Sequence, residues 1–249
     1  MKGVILAGGL APRLRPLTLV TNKHLLPIYH KPMIFYPLMA MQNAGIKEVL
    51  LTTSSDQVKQ FKDLLKQEKN FNLKISYGVQ KNPKGGIADA LSLAQSFAKG
   101  EKLLVILGDN IFNFNLKSTT DYFNKKKKGA MVFGVKMPTD SGQYGVIEID
   151  KNGKVLSIEE KPKKPKSQIA QTGIYMYDDR VFQFLKNLKP SKRGELEVTD
   201  LNNLYVKNND IRNNLFLVGS AKVTVPWVKG LGYELNYSNT YSNRNNNTF

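Results

Sequence analysis

The chain has 249 residues, 37 Lys and Arg against 20 Asp and Glu, a formal charge of +17, 41% hydrophobic residues and no cysteine. That length suffices for one large α/β domain or two small ones with a sizeable core, and the lack of cysteine excludes disulfides and thiolate metal sites. No apolar run is long enough to cross a bilayer, and the opening MKGVILAGGLAPR is too briefly apolar for a secretory h-region, so a cytoplasmic protein without a membrane span is expected. The charge favours polyanionic partners, whether nucleic acid or phosphorylated small molecules. The lysine-rich runs at 125–128 and 161–166 lack interleaved aromatics, and no helix-turn-helix or zinc-finger spacing is present, so a nucleic-acid-binding module rests on charge alone.

Taken in order, Val4 to Ala7 form a short apolar run that breaks at Gly8, Gly9 and Leu10. This is the pattern of a buried parallel strand ending in a tight turn, at the carboxyl end where open α/β sheets bind ligands. Arg13, Arg15 and Lys23 follow, giving a phosphate cradle, although glycines alone would be only an ordinary turn. PMIFYPLMAMQNAGI has helical spacing and stops at Gly45; a strand over Val49 to Thr53, an amphipathic helix QVKQFKDLLKQ and a strand LKISYGVQ come next. The alternation predicts an α/β fold with a doubly wound, mainly parallel sheet.

Gln80 ends that strand, and Gly85-Gly86 opens another apolar-periodic helix. A buried strand from Leu103 to Leu107 ends in Gly108-Asp109-Asn110, and strand polarity brings Asp109 to the same edge as Gly8 and Gly9. Asp109 there is either a hard oxygen ligand for Mg²⁺ together with substrate phosphates or a cap on the following turn. After a helix with solvated lysines and a strand over Ala130 to Met137, the pattern changes. Alternating strands flank Lys151-Asn152-Gly153, an Asn-Gly hairpin signal, and predict an antiparallel insertion folded over the carboxyl edge as a lid. AQTGIYMYDDRVFQFLKNL is a strand then a helix, with Tyr175 and Tyr177 as alternating strand residues; a loop around Gly194 leads to a further helix. LFLVGSAKVTVPW is strand material in which Trp227 fills a packing gap, and ELNYSNTYSNRNNNTF has no apolar period and reads as a disordered tail. His24 and His30 read as surface or hydrogen-bonded residues, not as a catalytic pair.

The opening stretch resembles the sugar-1-phosphate nucleotidyltransferases, most closely the glucose-1-phosphate thymidylyltransferase group, in Gly8, Gly9, Arg13, Leu14, Pro16, Thr18, Lys23, Leu25, Leu26, Pro27, Lys31, Pro32 and Met33. The resemblance implies a Rossmann-like nucleotidyltransferase domain over 1–235, with a nucleotide-binding half at 1–137, a sugar-binding half at 138–235 and a tail at 236–249. It places a triphosphate at Gly8, Gly9 and Leu10, a pyrimidine edge at Gln80, the base over Gly85 and Gly86, and Mg²⁺ on Asp109 within Leu-Gly-Asp-Asn-Ile-Phe. On the sugar side it places Gly145, Glu160 at the hydroxyls, Lys161 at the phosphate, the turn Thr172-Gly173, and Glu195. Two departures stand out. Ala11-Pro12 replaces the family's Gly-Thr or Gly-Ser, and Lys229 stands where the family has the second metal carboxylate.

The implied chemistry is transfer of a nucleotidyl group from a nucleoside triphosphate to a sugar 1-phosphate, giving a nucleotide sugar and pyrophosphate. Arg13 would stabilise pyrophosphate, Lys23 the α-phosphate, Asp109 the Mg²⁺ and Lys161 the incoming phosphate. The nucleophile is already an anion, so no general base is required. dTTP and glucose 1-phosphate are favoured, while other pyrimidine triphosphates and hexose phosphates use the same scaffold. The departures raise an alternative, an impaired homologue that binds nucleotide or sugar phosphate without turnover. A homo-oligomer is neither required nor excluded.

Overall fold

The computed structural model describes residues 1–9, 11–82, 84–138, 141–211 and 215–218. Two apolar layers sandwich one sheet, and the alternation of side chains along each strand decides which layer a residue joins. In β1 (Lys2–Leu6) every residue is buried, as expected of a strand covered on both faces. Ile5 joins one layer with Leu38 and Met41 of α1 (Phe35–Asn43), Phe61 of α2 (Val58–Gln67) and Phe123 of α5 (Lys117–Lys125). Val4 and Leu6 join the other, with Ala88 and Leu91 of α3 (Gly86–Ser92), Ala98 of α4 (Gln95–Ala98), Leu185 of α6 (Val181–Lys186) and Leu201 and Tyr205 of α7 (Val198–Lys207).

The sheet order is β11-β7-β10-β6-β1-β4-β5, with a small separate hairpin of β2 (Pro27–Ile28) and β3 (Lys31–Pro32). β1, β4 (Glu48–Ser54), β5 (Lys74–Gln80) and β6 (Leu103–Leu107) are mutually parallel, and β11 (Leu215–Val218) runs parallel to β7 (Ala130–Lys136). β10 (Ile169–Tyr177) is antiparallel to both of its neighbours, β6 and β7. Parallel neighbours need a crossover of a dozen or more residues. β10 instead returns from a hairpin, β8 (Gly145–Ile149) with β9 (Val155–Glu160), through a short loop, and so enters the sheet reversed.

That hairpin extends the sheet rather than lying free as a lid. Val146 pairs with Ala170 of β10. Asn203 of α7 accepts from the Ile158 N–H at 2.9 Å and donates to its carbonyl at 2.6 Å, fixing β9 to the helix. Among the described residues no helix is long and apolar enough to cross a membrane.

Candidate active site

Registration of the parallel strands sets the site. Leu6 pairs with both Thr52 and Leu107, and Ser54 pairs with Gln80, so Gly8, Gly9, Gln80 and Asp109 all emerge at one edge. Lys23 reaches the same point from a 3₁₀ turn (Lys23–Leu25), and its Nζ lies 2.5 Å from Asp109 Oδ2. Burial would raise the Asp109 carboxyl, but the Lys23 charge and hydrogen bond outweigh it and hold the group below the usual carboxylate range. The residue pair expected to face the phosphates is thus already in contact.

Asn22, which the sequence did not single out, aims Lys23. Its amide donates to the Ala7 carbonyl at 3.0 Å and to Gln57, while its oxygen accepts from the His24 N–H at 2.8 Å and faces the His24 ring Nδ1 at 2.6 Å. The turn is thereby tied to the end of β1. His24 is buried against Gly108, next to Asp109, while His30 is exposed. Burial above all, then the Lys23 charge, lowers His24 from 6.5 to about 3.

A neutral buried imidazole carries a pH signature. Below pH ~6.5 the unfolded chain takes up a proton that the folded chain refuses, so stability falls as pH drops. Between pH ~6.5 and ~4.5 the loss should be about 2–3 kcal/mol, and His24→Gln should remove it. Urea unfolding at both pH values checks this; equal slopes for the two proteins would refute it.

The loop after Gly9 tolerates its two departures from the family pattern in different ways. Ala11 adopts the left-handed conformation, φ 41 and ψ 55, that glycine would take without strain. Its carbonyl accepts from the Leu14 N–H and the Thr18 hydroxyl, each at 3.0 Å, which holds it there. Pro12 occupies the first position of the 3₁₀ turn Pro12–Leu14, where a missing N–H costs no internal bond but presents none to a ligand. Arg13 is exposed on this turn; Leu10 lies outside the described residues. In the double variant Ala11→Gly, Pro12→Thr, relief of strain and gain of chain entropy nearly cancel, leaving stability within about 1 kcal/mol. Triphosphate affinity should tighten about tenfold through one added charge-assisted hydrogen bond. Calorimetry reads this directly, and unchanged affinity would show that position 12 does not face the phosphates.

At the end of β5, Gln80 is nearly buried and bridges two glycine turns. Its Nε2 donates to Asp89 Oδ2 at 2.9 Å and lies 3.4 Å from the Gly86 carbonyl, while a Cβ at Gly8 would come 2.6 Å from its Oε1. Gly8 is therefore the space Gln80 occupies. Gly86 has φ +90, and a Cβ there would meet the Leu196 carbonyl at 2.6 Å. Leu196 N–H donates to Gly85 O at 2.9 Å and Ala88 N–H to Leu196 O at 3.2 Å, zipping the Gly85-Gly86 turn to the loop that carries Glu195.

At the hairpin, Glu160 at the end of β9 accepts from the Thr199 hydroxyl at 2.8 Å, and Lys161, with φ 44, has its Nζ 3.8 Å from Glu160 Oε1. Arg193 gathers three acids, at 3.5 Å from Glu160, 3.0 Å from Glu195 and 3.5 Å from Glu197. Thr172 spends its hydroxyl on the Phe133 carbonyl at 3.0 Å and so faces the sheet. The Gly173 N–H donates to Asn110 Oδ1 at 3.1 Å, and Asn110 Nδ2 lies 3.4 Å from Asp109 Oδ1, which links β10 to the Lys23–Asp109 pair. Arg193, Thr199 and Asp89 carry no mark in the sequence pattern, and each contacts a residue that does, Glu160 for the first two and Gln80 for the third.

Among the described residues no group of three or more His, Cys, Asp or Glu gathers as a metal cage. Asp109 offers a carboxylate, with Oδ2 on Lys23 and Oδ1 near Asn110. That donor set suits a Mg²⁺ ion completed by substrate phosphates, not one held by protein alone. Lys229 and Trp227 lie outside the described residues.

Residues 2–222 match the model of the nucleotidyl transferase family. The chain belongs to the nucleotidyl transferase family. Within it, the chain is 43% identical over 212 residues to the glucose-1-phosphate thymidylyltransferase of Neisseria gonorrhoeae, covering 85% of this chain and 73% of that protein. It is 41% identical to the protein of the same name from Actinoplanes sp., over 90% of this chain and 72% of the relative. A Bacillus anthracis protein assigned as a glucose-1-phosphate thymidylyltransferase, crystallised with a sucrose, superimposes with a TM-score of 0.81 at 41% identity, covering 88% of this chain and 87% of its own. A UDP-glucose pyrophosphorylase complexed with UDP-glucose gives a TM-score of 0.70 at 25% identity, over 85% of this chain and 88% of the other. This nucleotidyl transferase is therefore an enzyme, with the mixed, mostly parallel sheet of its relatives.

Proposed function

We propose that this nucleotidyl transferase joins dTTP and glucose 1-phosphate into dTDP-glucose, releasing pyrophosphate, in the cytoplasm. The observation that carries the reading is the Lys23–Asp109 contact at the carboxyl edge between the glycine turn and the sugar-side strand. It sets a cation and a metal-competent carboxylate where two polyanions must meet. In the reaction, a phosphate oxygen of glucose 1-phosphate attacks the α-phosphorus, the new P–O bond forms in line with the bond that breaks, and pyrophosphate leaves. Lys23 neutralises charge on the α-phosphate, Arg13 on the departing pyrophosphate and Lys161 on the incoming phosphate. Gly8, Gly9 and Leu10 receive the triphosphate; Gln80, Gly85 and Gly86 receive the base. Glu160, Glu195 and the strand around Gly145 and Thr172-Gly173 border the sugar. Mg²⁺ on Asp109 and the phosphates would neutralise the β- and γ-charges when bound.

Support comes from the names of the relatives that match over most of the chain. The test is incubation with dTTP, glucose 1-phosphate and Mg²⁺. Pyrophosphate and dTDP-glucose should appear together, faster than with UTP. Binding of both substrates without pyrophosphate would overturn the proposal.

A further inference from the structure

The Gln171 side chain is built into a relay of hydrogen bonds between two buried tyrosines. The Tyr177 hydroxyl donates to Asn202 Oδ1 at 2.7 Å, Asn202 Nδ2 donates to Gln171 Oε1 at 3.0 Å, and Gln171 Nε2 donates to the Tyr175 hydroxyl oxygen at 3.3 Å. Tyr175, Tyr177 and Asn202 are buried, and burial pushes both phenols well above their ordinary range, so both remain protonated donors. Run in the opposite sense, from the Tyr175 hydroxyl through Gln171 and Asn202 to the Tyr177 oxygen, the same contacts are also satisfied, and in either sense Gln171 uses one N–H and one oxygen lone pair.

Gln171 sits in β10 where the register with β7 breaks, between Gln171 and Tyr175, directly before Thr172 and Gly173 of the same strand. A Cβ built on Gly145 would lie 3.3 Å from Thr199 Oγ1, 3.4 Å from Glu160 Oε2 and 3.5 Å from Gln171 Cβ, so these three side chains bound one space. Tyr175, at the end of the relay, feels the charges of both Glu160 and Asp109. A primary amide has two N–H donors and two acceptor lone pairs. The relay uses one of each and leaves one N–H, on a side chain whose Cβ borders the same space at Gly145 as Glu160. A donor next to an acceptor is the complement of a hydroxyl, which accepts and donates through the same oxygen.

We propose that Gln171 is the specificity-determining side chain of the sugar subsite, donating to one hexose hydroxyl whose own proton goes to Glu160. The proposal rests on the reading of Glu160 and Gly145 as the sugar side. It predicts rejection of a sugar phosphate that lacks that hydroxyl, since Gln171 and Glu160 would both lose a partner in a partly buried site. Tyr177 and Asn202 are positioning residues that act through Gln171.

The test measures calorimetric affinities of the full chain for glucose 1-phosphate and its 2-, 3-, 4- and 6-deoxy analogues, which do not depend on turnover. The wild type should bind glucose 1-phosphate about 10- to 100-fold more tightly than one of the four. Gln171→Met, similar in volume but without the amide, should bring that ratio within about threefold while dTTP affinity is unchanged. Gln171→Glu, which still accepts from Asn202 but offers no donor, should lose the same discrimination if the methionine variant does not fold. Tyr177→Phe should shift the same ratio by a smaller factor. A ratio unchanged by Gln171→Met or Gln171→Glu, or equal affinity of the wild type for all five compounds, would overturn the proposal. Discrimination that collapses as expected in a protein that releases no pyrophosphate would support Gln171 and overturn only the proposed reaction.

Discussion

Lys23→Met should lower kcat for pyrophosphate release by about 10³-fold while leaving the fold intact. The lysine ammonium lies on Asp109 at the mouth of the site, with side-chain exposures of 24% and 39%. A pair this open is screened by water, so its loss should cost the folded state about 1 kcal/mol or less. The same charge, directed at an α-phosphate inside a substrate-filled site, acts where water has been displaced and each fixed cation weighs far more. Structural and catalytic effects are therefore separable at this residue. Asp109→Asn should give a comparable loss together with a weaker dependence of rate on Mg²⁺ concentration. The double variant should be far less impaired than the product of the two single losses, because the residues act as one unit. A Lys23→Met enzyme within tenfold of the wild type would remove Lys23 from the reaction.

The residues that carry this expectation were legible early. Gly8, Gly9 and Asp109 follow from apolar runs that end in turns, because parallel strands share one carboxyl edge. Observed boundaries such as Leu103–Leu107 and the stop of α1 before Gly45, with φ 82, follow from burial and from the freedom of glycine. The direction of β10 was not legible: its apolar pattern is that of any buried strand, and its reversal comes from the hairpin before it. For the same reason the hairpin read as a lid, since the pairing of Val146 with Ala170 is long-range and leaves no mark in local sequence.

Side-chain partnerships were the least visible. Asn22 looks like a turn residue, and its link to Ala7 and Gln57 exists only once β1 and α2 are packed. Arg193 sits among the acids of one loop, and its reach to Glu160 spans 33 positions. Alanine resists positive φ, yet the hydrogen bonds from Leu14 and Thr18 hold Ala11 there, so neighbours overrule local preference.

Asp178→Ala should destabilise the enzyme by about 3 kcal/mol or more, lowering Tm by roughly 10 °C, without altering KM for either substrate. Asp178 follows β10 and is 2% exposed. Its Oδ2 accepts from the Gly129 N–H at 2.6 Å and from Arg180 Nε and Nη2 at 2.9 and 2.6 Å; its Oδ1 accepts from the Tyr205 hydroxyl at 2.9 Å and the Arg180 N–H at 3.2 Å. One carboxylate thus joins the start of β7, the end of β10, the entry to α6 and the middle of α7. Truncation strands a guanidinium, a phenol and a backbone N–H together, and Asp210, 2.9 Å from Arg180 Nη1, can satisfy only the first of them. Asp178→Asn should cost less, because one oxygen remains. Tyr205→Phe, which removes a single hydrogen bond but leaves Asp178 its other donors, should cost about 1 kcal/mol. The kinetic half follows from direction. Tyr177 pairs with Leu103, at the start of β6, so Asp178 lies at the edge opposite Asp109. A variant that melts early yet binds dTTP and glucose 1-phosphate normally at 25 °C would confirm that this network holds the sheet to its helices and takes no part in the chemistry; a raised KM without lost stability would contradict it.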